Sequence, residues 1–107
     1  MKYSVLLLET AENDLYEIHY HLEMHDSAER ADTLLDGIEQ VIAGLTEMPE
    51  RGHFPPELER IGMREYREVH FKPYRIVYAI AGTEVRIHCV LDGRRDMVTL
   101  LQHRLLR

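Results

Sequence analysis

Cysteine is almost missing from this chain: Cys89 is the only one in 107 residues. A single thiol makes no internal disulfide and no multi-cysteine metal site, which excludes the disulfide-stapled secreted scaffolds and fits a reducing compartment. That thiol is expected to be buried. No run approaches the roughly 20 apolar residues of a membrane-spanning helix, and the stretch from Val5 to Leu8 is too short for the apolar part of a signal peptide. A cytoplasmic location without a membrane partner is expected. The chain also lacks HExxH, a P-loop, GxGxxG and GxSxG, so metalloprotease, nucleotide-binding and serine-hydrolase readings have no support.

What is present is ordinary globular composition, 45% hydrophobic and 30% charged, enough for one domain over residues 1–107 with one modest core. There is no internal repeat and no low-complexity segment. The formal net charge of −6 conceals a segregation along the chain. Residues 1–50 hold two basic residues, Lys2 and Arg30, against twelve acidic ones, net −10; residues 51–107 hold eleven against seven, net +4. A fold can gather the second half into a basic face for an acidic partner, although the balance is weaker than that of a dedicated nucleic-acid binder.

Tyr3, Val5 and Leu7 alternate with Ser4 and Leu6, which predicts a mostly buried strand over residues 2–8. Thr10 is the expected N-cap of a first helix, with Glu12 and Asp14 in its first turn and an apolar stripe of Ala11, Leu15, Ile18 and Leu22. Asp26 or Ser27 breaks that period, Asp26 and Glu29 having capping-box spacing. A second stripe of Ala31, Leu34, Leu35, Ile38, Val41, Ile42 and Leu45 runs to Met48-Pro49, where the residue before proline avoids the helical region. These helices are expected to form an antiparallel hairpin.

Pro49, Gly52, Pro55, Pro56 and Gly62 mark a loop without a sustained period. Strand-like sequence follows from Met63, with Arg67, Val69 and Phe71 on one side and Tyr66, Glu68 and His70 on the other. After Pro73, Tyr74, Ile76, Tyr78 and Ile80 alternate with Arg75, Val77 and Ala79, and Ala81-Gly82-Thr83 turns into Val85, Ile87, Cys89 and Leu91. Asp96 caps a last helix with Met97, Leu100, Leu101 and Leu105. The fold class is α+β in the order β-α-α-β-β-β-α, a helical hairpin packed on a small antiparallel sheet with a short C-terminal helix.

Glu17, His21 and His25 recur every four residues on the first helix, a metal-ligand spacing, but on the face opposite the apolar stripe. A solvated helix surface accounts for them, and neither a metal nor another cofactor is expected. The arginines carry more. Arg75 lies in Pro73-Tyr74-Arg75-Ile76-Val77-Tyr78, and Arg94 and Arg95 lie in the turn Leu91-Asp92-Gly93-Arg94-Arg95-Asp96. In an antiparallel meander the end of the last strand lies near the start of the one before it, which puts Arg75 within reach of Arg95 as a pair of guanidinium groups for an anion. The structural alternative is a set of salt bridges, Arg95 with Asp96 or Asp92 and Arg75 with Glu68 or Glu84. Tyr66, Tyr74 and Tyr78 suit base stacking, but alternating strand tyrosines more often pack in a core.

The stretch from Ile61-Gly62 through Tyr74-Arg75-Ile76-Val77-Tyr78, with Val85-Arg86-Ile87 and Val90 to Asp96, resembles the C-terminal half of the RelE/ParE superfamily of bacterial type II toxins. The preceding strand and helix pair match its element order, so the resemblance spans nearly the whole chain. It implies growth arrest, a role in plasmid stabilisation and a cognate antitoxin that wraps and neutralises the toxin. RelE-like members cut mRNA on the ribosome with a strand arginine, a turn arginine, basic residues on the preceding strand and often a tyrosine in the last helix. Arg75 and Arg95 match the two arginines, whereas Tyr66 and Glu68 stand where lysines are expected and Leu101 or a neighbour where the tyrosine is. Glu68 or His88 is then the candidate base. ParE-like members poison DNA gyrase without nuclease chemistry. The acidic total and the Gly93-Arg94-Arg95-Asp96 turn resemble that branch, with Tyr74, Arg75, Arg94, Arg95 and Asp96 as target-binding residues. The expected function is a ParE-like gyrase inhibitor. The alternatives are a RelE-like mRNA endonuclease acting on the ribosome and an inactive binding module of the same fold.

Overall fold

Strand β1 (Ser4–Leu7) leads directly into helix α1 (Glu9–His25), and α2 (Ala28–Ala43) returns alongside it, ending in a single 3-10 turn over Gly44–Thr46. A one-turn helix α3 (Pro56–Glu59) precedes strands β2 (Arg67–Phe71), β3 (Tyr74–Ala81) and β4 (Glu84–Asp92), and α4 (Met97–Leu105) closes the chain. This is a computed structural model, and it describes residues 2–106.

The strands form one sheet in the order β1-β4-β3-β2. β2, β3 and β4 are the expected antiparallel meander. β1, however, pairs parallel with β4, Val5 opposite Val85 and Leu7 opposite Ile87, so the sheet is mixed rather than purely antiparallel. Tight turns impose antiparallel pairing on neighbours in sequence, while a parallel pair needs a long intervening crossover, and only the assembled fold settles which edge β1 takes.

Both faces of the sheet are covered. Ala11 and Leu15 of α1 and Ile38 and Ile42 of α2 pack with Val69, Ile76, Tyr78, Val85, Ile87 and Val90 on one face. On the other, Leu58 of α3 and Met97 and Leu101 of α4 pack with Val77, Cys89 and Leu91. Two-sided burial is why β3 and β4 carry runs of buried residues in place of strict alternation. Each fully buried Ile or Leu here, such as Ile38 or Leu58, contributes about 1.5–3 kcal/mol.

Several local expectations shift. Thr10 does not cap α1: the N-cap position is Leu8, without a side-chain hydrogen bond, and the Thr10 hydroxyl donates to the His88 carbonyl at 3.0 Å on the β4 edge that β1 leaves uncovered. Ser27 rather than Asp26 caps α2, accepting from the Arg30 N–H, while Asp26 pairs with the Arg30 guanidinium. The expected structureless loop contains α3, with Pro56 at its first position and Leu58 in the core. Asp96 caps α4 as expected, accepting from the Thr99 N–H.

Loop 49–55 is fastened to the sheet at two places. The buried Tyr78 hydroxyl donates to the Pro49 carbonyl at 2.7 Å and accepts from the Gly52 N–H at 3.0 Å. A Cβ at Gly52 would stand 2.5 Å from that hydroxyl and 2.6 Å from the Glu68 carbonyl, so the approach requires glycine. His53 then bridges to Glu68, each N–H donating to the other's carbonyl at 3.2 and 2.7 Å.

Candidate functional site

Arg75 projects from β3 toward α3, and its guanidinium is fully engaged. Its two terminal nitrogens donate to Glu57 at 2.9 and 2.6 Å and its Nε donates to Glu68 Oε1 at 2.6 Å. The Arg75 side chain is 12% exposed and that of Glu68 only 1%. The Arg75 fork holds the Glu57 carboxyl below the usual carboxylate range, outweighing burial, and the two carboxylates raise the Arg75 pKa further above its already high value. The Arg75 stem passes so close to Gly93 that a Cβ there would meet its Cδ at 2.8 Å. Of the two structural partners expected for Arg75, Glu68 is present, while Glu84 instead pairs with Arg86 at 2.6 Å.

Glu68 Oε2 faces two imidazoles. His53 Nε2 lies 2.8 Å away and His70 Nε2 3.4 Å away, and the two rings meet edge to face. His88 stands elsewhere, edge-on to Tyr66, and desolvation, assisted by Arg86, lowers its pKa. No hydrogen bond or ion pair links it to Glu68 among the described residues.

The Gly93–Asp96 turn presents its two arginines differently. Arg94 donates to both carboxylate oxygens of Asp92, at 3.0 and 2.7 Å, yet remains 74% exposed. This contact lowers the Asp92 pKa and raises that of Arg94. Arg95 is exposed and its side chain has no ion-pair partner among the described residues. The expected meeting of Arg75 with Arg95 does not form: Arg94 shares a shallow hollow with Arg75, His70 and Lys72, while Arg95 borders a larger one beside α1. The Asp96 carboxylate is taken up by the Thr99 N–H and hydroxyl, which lower its pKa. Tyr74 is half-buried against the hairpin-side core, desolvation raising its pKa, and it lines both hollows. Tyr78 is wholly a core residue.

The hollow beside α1 has a volume of about 800 Å³ and lies between that helix, the end of β4 and α4. Asp14 crosses its floor, accepting from the Val90 N–H at 2.9 Å and from the Arg104 guanidinium at 3.0 and 2.8 Å. Along its rim Tyr16, Tyr20 and Met24 are exposed, with the two tyrosine rings stacked. The spacing of four residues was visible in the sequence as a second stripe beside the core one. His53 and Glu57, by contrast, sit in the irregular 49–62 segment, where no period marks them. Glu17, His21 and His25 lie on α1 as expected; the His21 and His25 rings are in contact, but the three do not gather their donor atoms as a metal site would.

No helix is long and apolar enough to cross a membrane among the described residues. A family model for the ParE toxin of the type II toxin-antitoxin system parDE matches residues 5–97. Among solved structures, the chromosomal ParDE system from P. aeruginosa superimposes with a TM-score of 0.70 at 19% identity, covering 83% of this chain and 94% of that one. The RelBE2 toxin-antitoxin complex from Mycobacterium tuberculosis gives 0.58 at 21% identity, covering 84% and 96%. A mutant of E. coli toxin RelE in the free state gives 0.64 at 16% identity, covering 94% and 93%. No curated protein matches the chain in sequence.

Proposed function

Because the chain belongs to the ParE toxin family of type II toxin-antitoxin systems, we propose that it arrests growth by inhibiting DNA gyrase and that a cognate antitoxin neutralises it. The observation that favours gyrase inhibition over mRNA cleavage is the state of Arg75. A metal-independent RNase needs a guanidinium turned toward the scissile phosphate and a base open to the 2'-hydroxyl. Here the donors of Arg75 are occupied by Glu57 and Glu68, and Glu68 is almost completely buried. A phosphodiester arriving at Arg75 would bring its charge beside two carboxylates and have to displace a bidentate pair.

The exposed cations of the Gly93–Asp96 turn are the target-facing groups in this reading, Arg95 first because its side chain is unpaired among the described residues. Arg94 contributes as the exposed end of its pair with Asp92, Tyr74 as the apolar neighbour, and Asp96 by fixing the start of α4. The Tyr16, Tyr20 and Met24 stripe supports the antitoxin half of the reading, since an exposed apolar helix face beside a hollow suits a segment that folds on binding. The antitoxin complexes among the structural relatives point the same way.

Expression of the chain without its partner tests the target. Arrest with filamentation and an SOS response is expected, because poisoned gyrase leaves double-strand breaks. Arrest with mRNA cut at ribosomal A-site codons and no SOS response assigns the chain to the RelE-like activity, and normal growth assigns it to an inactive module.

A further inference from the structure

The edge strand β2 carries a cluster that the toxin reading leaves unused. Glu68 and His70 are two residues apart on β2, so their side chains leave the same face of the sheet. His53 is held beside Glu68 by the two backbone hydrogen bonds of their bridge. Among the described residues this is the group of three whose donor atoms converge, all lying within 4.8 Å of one another.

We propose that His53, Glu68 and His70 form a binding site for a divalent late transition-metal ion, zinc in the first place. Two imidazoles and one carboxylate are a zinc donor set that leaves further positions to water. Bonds of about 2.0–2.2 Å place tetrahedral ligand atoms about 3.3–3.6 Å apart. The His70 Nε2 to Glu68 Oε2 separation is 3.4 Å and the His53 one 2.8 Å, and the whole donor set lies within 4.8 Å, so the two exposed imidazoles have to adjust by an ångström or so to close on an ion.

The surroundings fit the ion as well as the donors do. Glu68 Oε1 accepts from Arg75 Nε, and Glu57 grips the other end of Arg75, so the carboxylate is oriented from behind and Oε2 is left toward the imidazoles. Glu57, Glu68 and Arg75 together carry one net negative charge, while Lys72 and Arg94, which share the hollow beside His70, are exposed to solvent and screened. Glu68 forms the buried floor, and the His53 and His70 side chains, 58% and 44% exposed, give the ion its path from solvent. Without metal, a His53 Nε2–H donating to ionised Oε2 fits the 2.8 Å contact; when the ion takes Nε2, the neutral ring carries its proton on Nδ1 instead. Bound, the ion clips loop 49–55 to β2.

Calorimetric titration of the full chain with zinc, alongside thermal melts with and without zinc, tests the site without reading toxicity, so its outcome is independent of the target. One ion per chain and a rise in Tm are expected. His53→Ala and His70→Ala should each weaken binding at least about tenfold and remove the Tm rise. Without zinc, His70→Ala should melt near the parent and His53→Ala somewhat lower, because it gives up the 2.8 Å hydrogen bond to the buried Glu68 Oε2. The zinc-induced rise is read against each variant's own zinc-free melt, and the double variant His21→Ala/His25→Ala should bind as the parent does. No heat and no Tm shift at micromolar zinc would overturn the proposal. So would binding that survives both the His53 and His70 substitutions, or that is lost in the α1 double variant.

Discussion

Glu68 and Arg75 meet diagonally across β2 and β3: Glu68 is opposite Val77 and Arg75 opposite His70, yet Arg75 Nε reaches Glu68 Oε1 at 2.6 Å. Glu57 closes on the far end of the same guanidinium, so one side chain joins α3, β2 and β3. This makes Arg75 a structural residue whose charge is spent inside the protein, and it separates Arg75 from the exposed arginines of the Gly93–Asp96 turn.

Removing the Arg75 guanidinium leaves Glu68 buried without its cation. Arg75→Ala should therefore cost about 3–5 kcal/mol, a fall in Tm of more than about 10 °C for a domain of this size. Arg75→Lys, which keeps the charge and loses the fork, should fall between the parent and the alanine variant. Thermal melts of the three proteins decide it; an Arg75→Ala variant that melts with the parent would contradict the structural role.

The turn arginines should behave in the opposite way. Arg95→Ala is expected to leave Tm unchanged and to weaken target binding by about 1–2 kcal/mol, unless it is an interface hot spot. Arg94→Ala should have a smaller effect on toxicity, because its charge is partly balanced by Asp92. Growth-arrest assays at graded expression, run beside melts of the purified variants, separate loss of contact from loss of fold.

Glu57 links stability to acid. Its folded pKa lies below the ordinary value of 4.5 because Arg75 binds its ionised form. The unfolded chain thus takes up the proton more readily, so the stabilisation is complete above the unfolded pKa and is lost as pH falls through the lowered folded one. Urea unfolding should show stability declining below about pH 4.5, and more shallowly in Glu57→Gln. Equal slopes in the two proteins would mean that other carboxylates carry the acid sensitivity.

Burial pushes the Cys89 thiol up to about 12, which leaves almost no thiolate at neutral pH. A disulfide reagent should not label the folded chain on a timescale of minutes and should label one thiol per chain in denaturant. Rapid labelling under native conditions would mean that the face covered by α4 opens readily.

Local chemistry determined much of this protein. The stripes Ala11 to Leu22 and Ala31 to Leu45 specify two helices because each puts apolar groups on one side at helical spacing, and Asp96 marks the start of α4 because a carboxylate there can take its orphan N–H groups. The meander follows from short turns between strand-like runs, and the aromatic-arginine strand with its Gly-Arg-Arg-Asp turn carried the family resemblance. Tertiary structure decided what depends on residues distant in sequence. β1 enters parallel beside β4, Thr10 serves a strand edge instead of its helix, and Arg94 replaces Arg95 as the neighbour of Arg75. The roles of His53 and Glu57 arise because Tyr78 and the His53–Glu68 bridge bind an irregular loop to β2, bringing charged groups from separate segments onto one buried carboxylate and one guanidinium. Those side chains show no period along the chain, since their partners are set by where the loop lies on the sheet and not by their neighbours in sequence.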